Sequence, residues 1–112
     1  VVREIERKSW SNTFKQKTTQ LYYQFKQAGF KLDIHAIARL NRLNQKNFVE
    51  INAIQVLNFL KNNHANFYQE HDNRLVYFSE KMQIAVIQSA NDSKIVTIIR
   101  MKKEKSEWKI LK

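Results

Sequence analysis

Apolar residues recur at helical spacing up to about Asn62 and then at alternate positions as far as Met101, so the chain divides into a helical half and a strand half. Trp10, Phe14, Leu21 and Phe25 fall at offsets of 0, 4, 11 and 15, which is one face of an α-helix. They predict a first helix over residues 2–27, with Gly29 as its natural stop. Ser11 and Asn12 are capping residues at which this helix can break and restart. Asp33 is a good N-cap for a second helix running to about Leu43, with Ile34, Ile37 and Leu40 as its apolar stripe. A third helix is predicted over Val49–Asn62, where Ile54, Leu57 and Leu60 face one way with Val56 close by.

Past Asn62 the period shortens to two. Phe67–Glu70 reads as a short strand, His71-Asp72-Asn73 as a turn, and Arg74–Ser79 as a β-branched and aromatic strand. Glu80-Lys81 turns the chain into Met82–Ser89, and Asn91-Asp92-Ser93 turns it again into Lys94–Met101. Short connections between successive strands make an antiparallel meander. The expected class is therefore α+β, with N-terminal helices packed on a C-terminal antiparallel meander. No Gly/Ser or Pro linker and no repeat divides residues 1–112, which read as one domain. In Lys94–Met101, regular alternation puts Ile95, Ile99 and Met101 on one face and Val96 and Ile98 on the other. A strand apolar on both faces is covered on both. With helices on one side, the other side needs cover, either from the first helix or from a partner protein.

Composition sharpens this picture at three points. The chain has one Gly and no Pro, so its turns depend on Asn, Asp, Ser and Lys. It has no Cys, which excludes disulfides, thiolate metal sites and a cysteine nucleophile. Its 20 Lys and Arg against 10 Asp and Glu give a net charge of +10. A field of that sign on a chain this small attracts polyanions: nucleic acid, an anionic membrane surface or an acidic protein. The bland alternative is a merely lysine-rich surface from a biased genome. No apolar run approaches the roughly 20 residues that span a bilayer, and the N-terminus lacks the apolar stretch of a signal peptide. Since the chain does not begin with Met, it reads as a piece of a longer polypeptide, simple removal of Met being the alternative.

The acidic residues are few and scattered, and His35, His64 and His71 have no ligand spacing, so a metal site is not expected. Nor is there a glycine-rich phosphate loop or a serine nucleophile elbow. What remains is chemistry that needs a base, an acid and positive charge. RNA brings its own nucleophile, the 2′-hydroxyl, so a protein cleaves it by moving protons and stabilising the phosphorane. Imidazole suits proton transfer near neutral pH, and guanidinium groups suit the phosphate oxygens. His35, Arg39, Arg42 and Lys46 stand at offsets of 0, 4, 7 and 11, a basic stripe along the second helix. His35 is the leading candidate for acid or base, against the plain reading of an exposed helical histidine. His64 reads as a helix C-terminal group, His71 as a surface loop residue, and Trp108 as either a base-stacking residue or a tail anchor.

The segment His35-Ala36-Ile37-Ala38-Arg39 with Leu40–Leu43, followed by the strands containing Val76-Tyr77-Phe78, Ile84–Ile87 and Lys94–Arg100, resembles bacterial toxin ribonucleases. These belong to the broad fold group of barnase, the colicin D-like anticodon nucleases and the RelE-type toxins. The resemblance covers about residues 30–101 and leaves the first helix outside. It implies a catalytic set of His35, Arg39, Thr97 and Arg100, with Tyr77 a weaker member. His35 would act as acid or base, Arg39 and Arg100 would hold the scissile phosphate, and Thr97 and Tyr77 would position it. Arg42, Lys46, Lys102, Lys103 and Lys105 would carry the RNA backbone. Thr97 and Arg100 are three residues apart, so a regular strand points them to opposite faces.

The resemblance further implies a metal-independent endonuclease needing no cofactor. Transfer RNA is its expected substrate, and an acidic immunity protein its inhibitor. Such domains are delivered by larger secreted or cell-surface proteins, as in contact-dependent growth inhibition, and act in the target cell's cytoplasm. Two alternatives stay open. One is a ribosome-dependent RelE-like enzyme that cuts messenger RNA and leaves naked RNA intact. The other is a non-enzymatic module that binds nucleic acid or anionic lipid by charge.

Overall fold

The computed structural model describes residues 1–111. The chain forms helices α1 (Val2–Arg7) and α2 (Asn12–Gln27), strand β1 (Lys31–Leu32), and helices α3 (Ile34–Leu40) and α4 (Ala53–Asn62). Strands β2 (Phe67–Gln69), β3 (Arg74–Ser79), β4 (Ile84–Ser89), β5 (Lys94–Arg100) and β6 (Lys109–Ile110) follow. The class is α+β: helices, then a mostly antiparallel sheet of six strands in the order β1-β5-β4-β3-β2-β6. The meander β2 to β5 is as the alternation predicts. Two-residue β1, parallel to β5, and two-residue β6, antiparallel to β2, are too short to leave a period in the sequence.

The helix ends differ in part from the sequence expectation, and side-chain caps set two of the starts. The first helix is two helices. Lys8 takes extended backbone as the α1 C-cap, and α2 restarts at Ser11, whose hydroxyl accepts from the Phe14 N–H at 3.2 Å. Gly29, at φ +93°, stands just past the end of α2 as expected, a backbone region that side chains resist. Helix α3 starts at its predicted cap but ends at Leu40, not Leu43. Helix α4 starts at Ala53 and not Val49, because Asn52 and Gln55 exchange side-chain and backbone hydrogen bonds in a capping box. Asn47, Asn73 and Ser93 supply left-handed turn residues, as a chain so poor in glycine requires, and Gln83 is a less expected fourth.

Two apolar clusters lie on the two faces of the sheet. The larger buries Phe25, Leu32, Ile37, Val56, Ile84, Val86, Ile95 and Ile98 beneath the helices. The second face holds Val76, Phe78, Ala85, Ile87 and Trp108, with Val96, Ile99 and Met101 packed against them. The face assignment expected for β5 is therefore wrong: Ile95 and Ile98 share the helix side, and Val96, Ile99 and Met101 share the other. The cause is an irregularity in the ladder. Ile87 pairs with Thr97 but Gln88 pairs with Ile95, so Val96 is an extra residue in a β-bulge, and a bulge inverts the alternation beyond it.

The cover of the second face is also decided here. The chain's own C-terminal segment provides it, where either the first helix or a partner was expected. Trp108 packs on Phe67 and Phe78, with ring centroids 5.8 and 6.3 Å away, and its indole N–H donates to Gln69 Oε1 at 2.8 Å. Trp108 is thus a tail anchor and not a base-stacking residue. Replacing Trp108 with Phe strands the buried Gln69 oxygen, and is expected to cost about 1–3 kcal/mol, read as a lower urea midpoint at unchanged slope.

Candidate functional site

A cleft of about 740 Å³ lies between the outward stripe of α3 and the second face of the sheet; its wall includes His35, Ala38, Arg39, Arg42, Gln45, Arg74, Val96 and Thr97, with Trp10 and Asp33. Each wall has a local cause. Ile34, Ala36, Ile37 and Leu40 are buried in the main core. Helical spacing then turns His35 and Arg39 outward on the opposite side of α3, and both are exposed. The helix is set at its start by Asp33, whose Oδ1 accepts from the His35 backbone N–H at 3.1 Å. Replacing Asp33 with Ala is expected to cost about 1 kcal/mol of stability, while Asn, which keeps the capping oxygen, costs far less. Thermal unfolding of the two variants checks this.

The opposite wall depends on the bulge. Thr97 faces Ile87 across the ladder, and opposed residues share a face. It therefore lies on the second face together with Val96, its neighbour in sequence. Without the extra residue, alternation from Ile95 would turn Thr97 under the helices. Arg74 shares that face through its alternation with Val76, and its Nε lies 3.2 Å from Asp72 Oδ2. Asp72 also accepts from Gln69 Nε2 at 2.9 and 2.8 Å, so the carboxylate that orients Arg74 is itself fixed.

The third wall is aromatic. Trp10, in the link between α1 and α2, stands edge-to-face with Phe14 at 4.9 Å between centroids. The Arg42 guanidinium lies 4.5 Å from the Phe14 ring centre and 6.0 Å from that of Trp10, a cation–π arrangement. Asn41 ties these parts together: its side-chain amide donates to the Phe14 carbonyl and the Thr18 hydroxyl of α2, at 3.2 and 2.9 Å. The cleft so formed carries three guanidinium groups and one imidazole against the single carboxylate of Asp33, a strongly electropositive wall.

Of the residues expected from sequence, His35, Arg39, Arg42 and Thr97 meet in this cleft. Arg100 does not. Its register partner is Ile84, on the helix side of the sheet, and it is buried. Its guanidinium donates to four carbonyls: Leu43 and Val49 at 2.6 Å, Gln83 at 3.0 Å and Met82 at 3.1 Å. Burial pushes the group below its ordinary pKa. The opposite-face geometry that sequence spacing implied for Thr97 and Arg100 holds, and it removes Arg100 from the phosphate-binding set. Tyr77 is also elsewhere. It packs against the main core beside Phe59 of α4, and burial raises its pKa.

Lys46, Lys102, Lys103 and Lys105 are exposed outside the cleft wall. Lys102 Nζ lies 5.7 Å from the Phe48 ring centre. His64 is exposed just past the Asn63 C-cap of α4, and His71 lies 3.6 Å from Asp72 in an exposed turn.

Sequence reasoning missed Trp10, Gln45 and Arg74. The helical spacing puts Trp10 on the apolar stripe of the first helix, and the possible break at Ser11–Asn12 does not say where the freed ring goes. Arg74 and Gln45 carried no local signal. Among the described residues no group of three or more His, Asp or Glu is gathered for a metal ion, and no helix is long and apolar enough to cross a membrane. Compared with models of protein families, with curated proteins and with solved structures, the chain matches none.

Proposed function

We propose that the domain is an endoribonuclease of the bacterial toxin kind, acting on RNA without a metal ion. The observation that carries this reading is the meeting of His35, Arg39, Arg42, Arg74 and Thr97 in one open cleft. In the reaction the 2′-oxygen of a ribose forms a bond to the adjacent phosphorus, and the bond from phosphorus to the 5′-oxygen breaks. The 2′-hydroxyl proton leaves to a base and a proton reaches the departing 5′-oxygen. The products are a 2′,3′-cyclic phosphate and a 5′-hydroxyl. His35 serves one or both proton transfers. Arg39, Arg42 and Arg74 take the charge that gathers on the non-bridging oxygens, and the Thr97 hydroxyl orients the phosphate.

Transfer RNA is the proposed substrate. Delivery from a larger secreted or surface protein into a target cell, and inhibition by an acidic immunity protein, complete the reading. The basic cleft is the surface such an inhibitor would cover.

The cleft holds one imidazole and no second one to share the proton transfers, which favours a second reading: binding of RNA by charge without cleavage. Incubation with total transfer RNA in EDTA, followed by a denaturing gel, separates the two. Discrete fragments ending in cyclic phosphate support the nuclease. Intact transfer RNA, with messenger RNA also left intact when ribosomes are added, together with salt-sensitive binding supports the binding module and overturns the nuclease reading.

A further inference from the structure

The aromatic wall of the cleft has no part in the proton transfers, yet it stands beside the groups that would hold phosphate. The chain has two tryptophans, and their environments differ sharply. Trp108 is 5% exposed, with its N–H bonded to Gln69. Trp10 is partly exposed and lines the cleft with His35, Arg39 and Arg42. Lys8 Nζ and the Arg42 guanidinium lie 5.9 and 6.0 Å from its ring centre. It belongs to the segment Lys8-Ser9-Trp10-Ser11, which the Ser11 cap separates from α2. An uninterrupted helix over residues 2–27 would have spent this side chain on its apolar stripe; the break delivers it to the basic cleft.

We infer that Trp10 is a base-stacking platform, and that the ligand of this cleft is an unpaired stretch of RNA, not a duplex; this rests on the RNA reading above. The chemistry of the wall makes the distinction. Guanidinium groups read phosphates, which single and double strands both present. An indole offers a π-face, and only an unpaired base has a free face to lay on it. In a duplex the faces are hidden in the stack, so the ring gains nothing from it. Lys8 and Arg42, both exposed, lie over the ring; a base that takes their place on its face leaves their charges to meet the neighbouring phosphate, so one nucleotide is held through its base and its backbone together. Arg42, packed on Phe14 and bordering Trp10, links the two kinds of contact.

The test uses the whole domain with a 2′-O-methylated RNA strand of mixed sequence, and with the same strand annealed to its complement. Methylation removes the nucleophile, so binding is read without cleavage. The single strand is expected to bind more tightly and to quench tryptophan emission, since Trp10 is the tryptophan it can reach. Trp10→Leu keeps apolar bulk against Phe14 without a π-face, and is expected to weaken single-strand binding about tenfold while leaving duplex binding unchanged. Trp10→Phe is expected to restore most of the loss. Equal weakening of both ligands, an affinity indifferent to Leu, or tighter binding of the duplex overturns the inference. Stacking on Trp10 with natural RNA left uncut, both free and on ribosomes, keeps this inference and sinks the nuclease reading. Cleavage with an affinity independent of Trp10 does the reverse.

Discussion

Replacing His35 with Ala is expected to lower RNA cleavage by about 10²- to 10⁴-fold while leaving the fold as it is. The two halves of this expectation come from separate observations. The imidazole is exposed and makes none of the side-chain hydrogen bonds that hold α3. The helix is anchored instead by Ile34, Ala36, Ile37 and Leu40 on its buried side and by the Asp33 cap. A surface substitution of this kind shifts stability by no more than about 0.5 kcal/mol. The loss of activity has a different origin. The cleft contains no other imidazole, so no neighbour takes over the proton transfer. Arg39, Arg42 and Arg74 stay in place, and binding of uncleavable RNA should therefore hardly change. Gel assays of cleavage, set against circular dichroism and RNA affinity for the same variant, check all three parts. A variant that cuts RNA as fast as the unaltered protein removes His35 from the mechanism.

Arg100 carries the largest expected effect on stability. Truncation to Ala leaves the carbonyls of Leu43, Val49 and Met82 without their shared donor, while Gln83 keeps the Met101 N–H at 3.0 Å, and opens a void under the sheet. At about 1 kcal/mol or more for each stranded acceptor, the cost is on the order of 3 kcal/mol, a large share of the stability of an ordinary small domain. Lys is a poor substitute. Its ammonium is a single point on a flexible stem, whereas the planar fork of Arg reaches acceptors on separate strands of backbone at once. Urea unfolding is expected to place Ala lowest, Lys between, and the unaltered protein highest. Two of these bonds, to Leu43 and Val49, pin the connection between α3 and α4, which carries Arg42 and Gln45 to the cleft. Loss of Arg100 therefore reaches the site through the loop, although Arg100 does not line it. A nearly unchanged midpoint in Arg100→Ala contradicts this account of the clip.

The difference between His35 and Arg100 shows where sequence reading has purchase. Both are basic or titratable residues of the expected catalytic set, His35 on a helix and Arg100 on a strand. For His35, the local period settles the outcome: the residues around it form a helix with one apolar side, and His35 lies on the other. For Arg100, local alternation says only that it opposes Thr97, not which of the two faces the cleft. That depends on which side the helices cover and on where the ladder slips by a residue. The bulge at Val96 is invisible in a run of β-branched residues, because each of Ile95, Val96 and Ile98 is equally content on either face. It is a property of the pairing between β4 and β5, not of β5 alone.

By itself, then, the sequence determined what rests on neighbours along the chain. Helical spacing followed by alternation defined the α+β class and its order; Asp33 and Gly29 set helix ends; the excess of Lys and Arg marked a polyanion partner as the first expectation. Only the tertiary structure decided what depends on residues far apart meeting. It brought Trp10, which the local Ser11 cap had freed from α2, to Arg42. It turned Thr97 toward the cleft and Arg100 away from it. It brought Arg74 across from β3, and folded Trp108 back over the sheet's second face. The physical reason is that periodicity and capping act over a few residues. The register of a sheet and the identity of a cleft are set instead by long-range packing, in which the same apolar residue satisfies more than one arrangement.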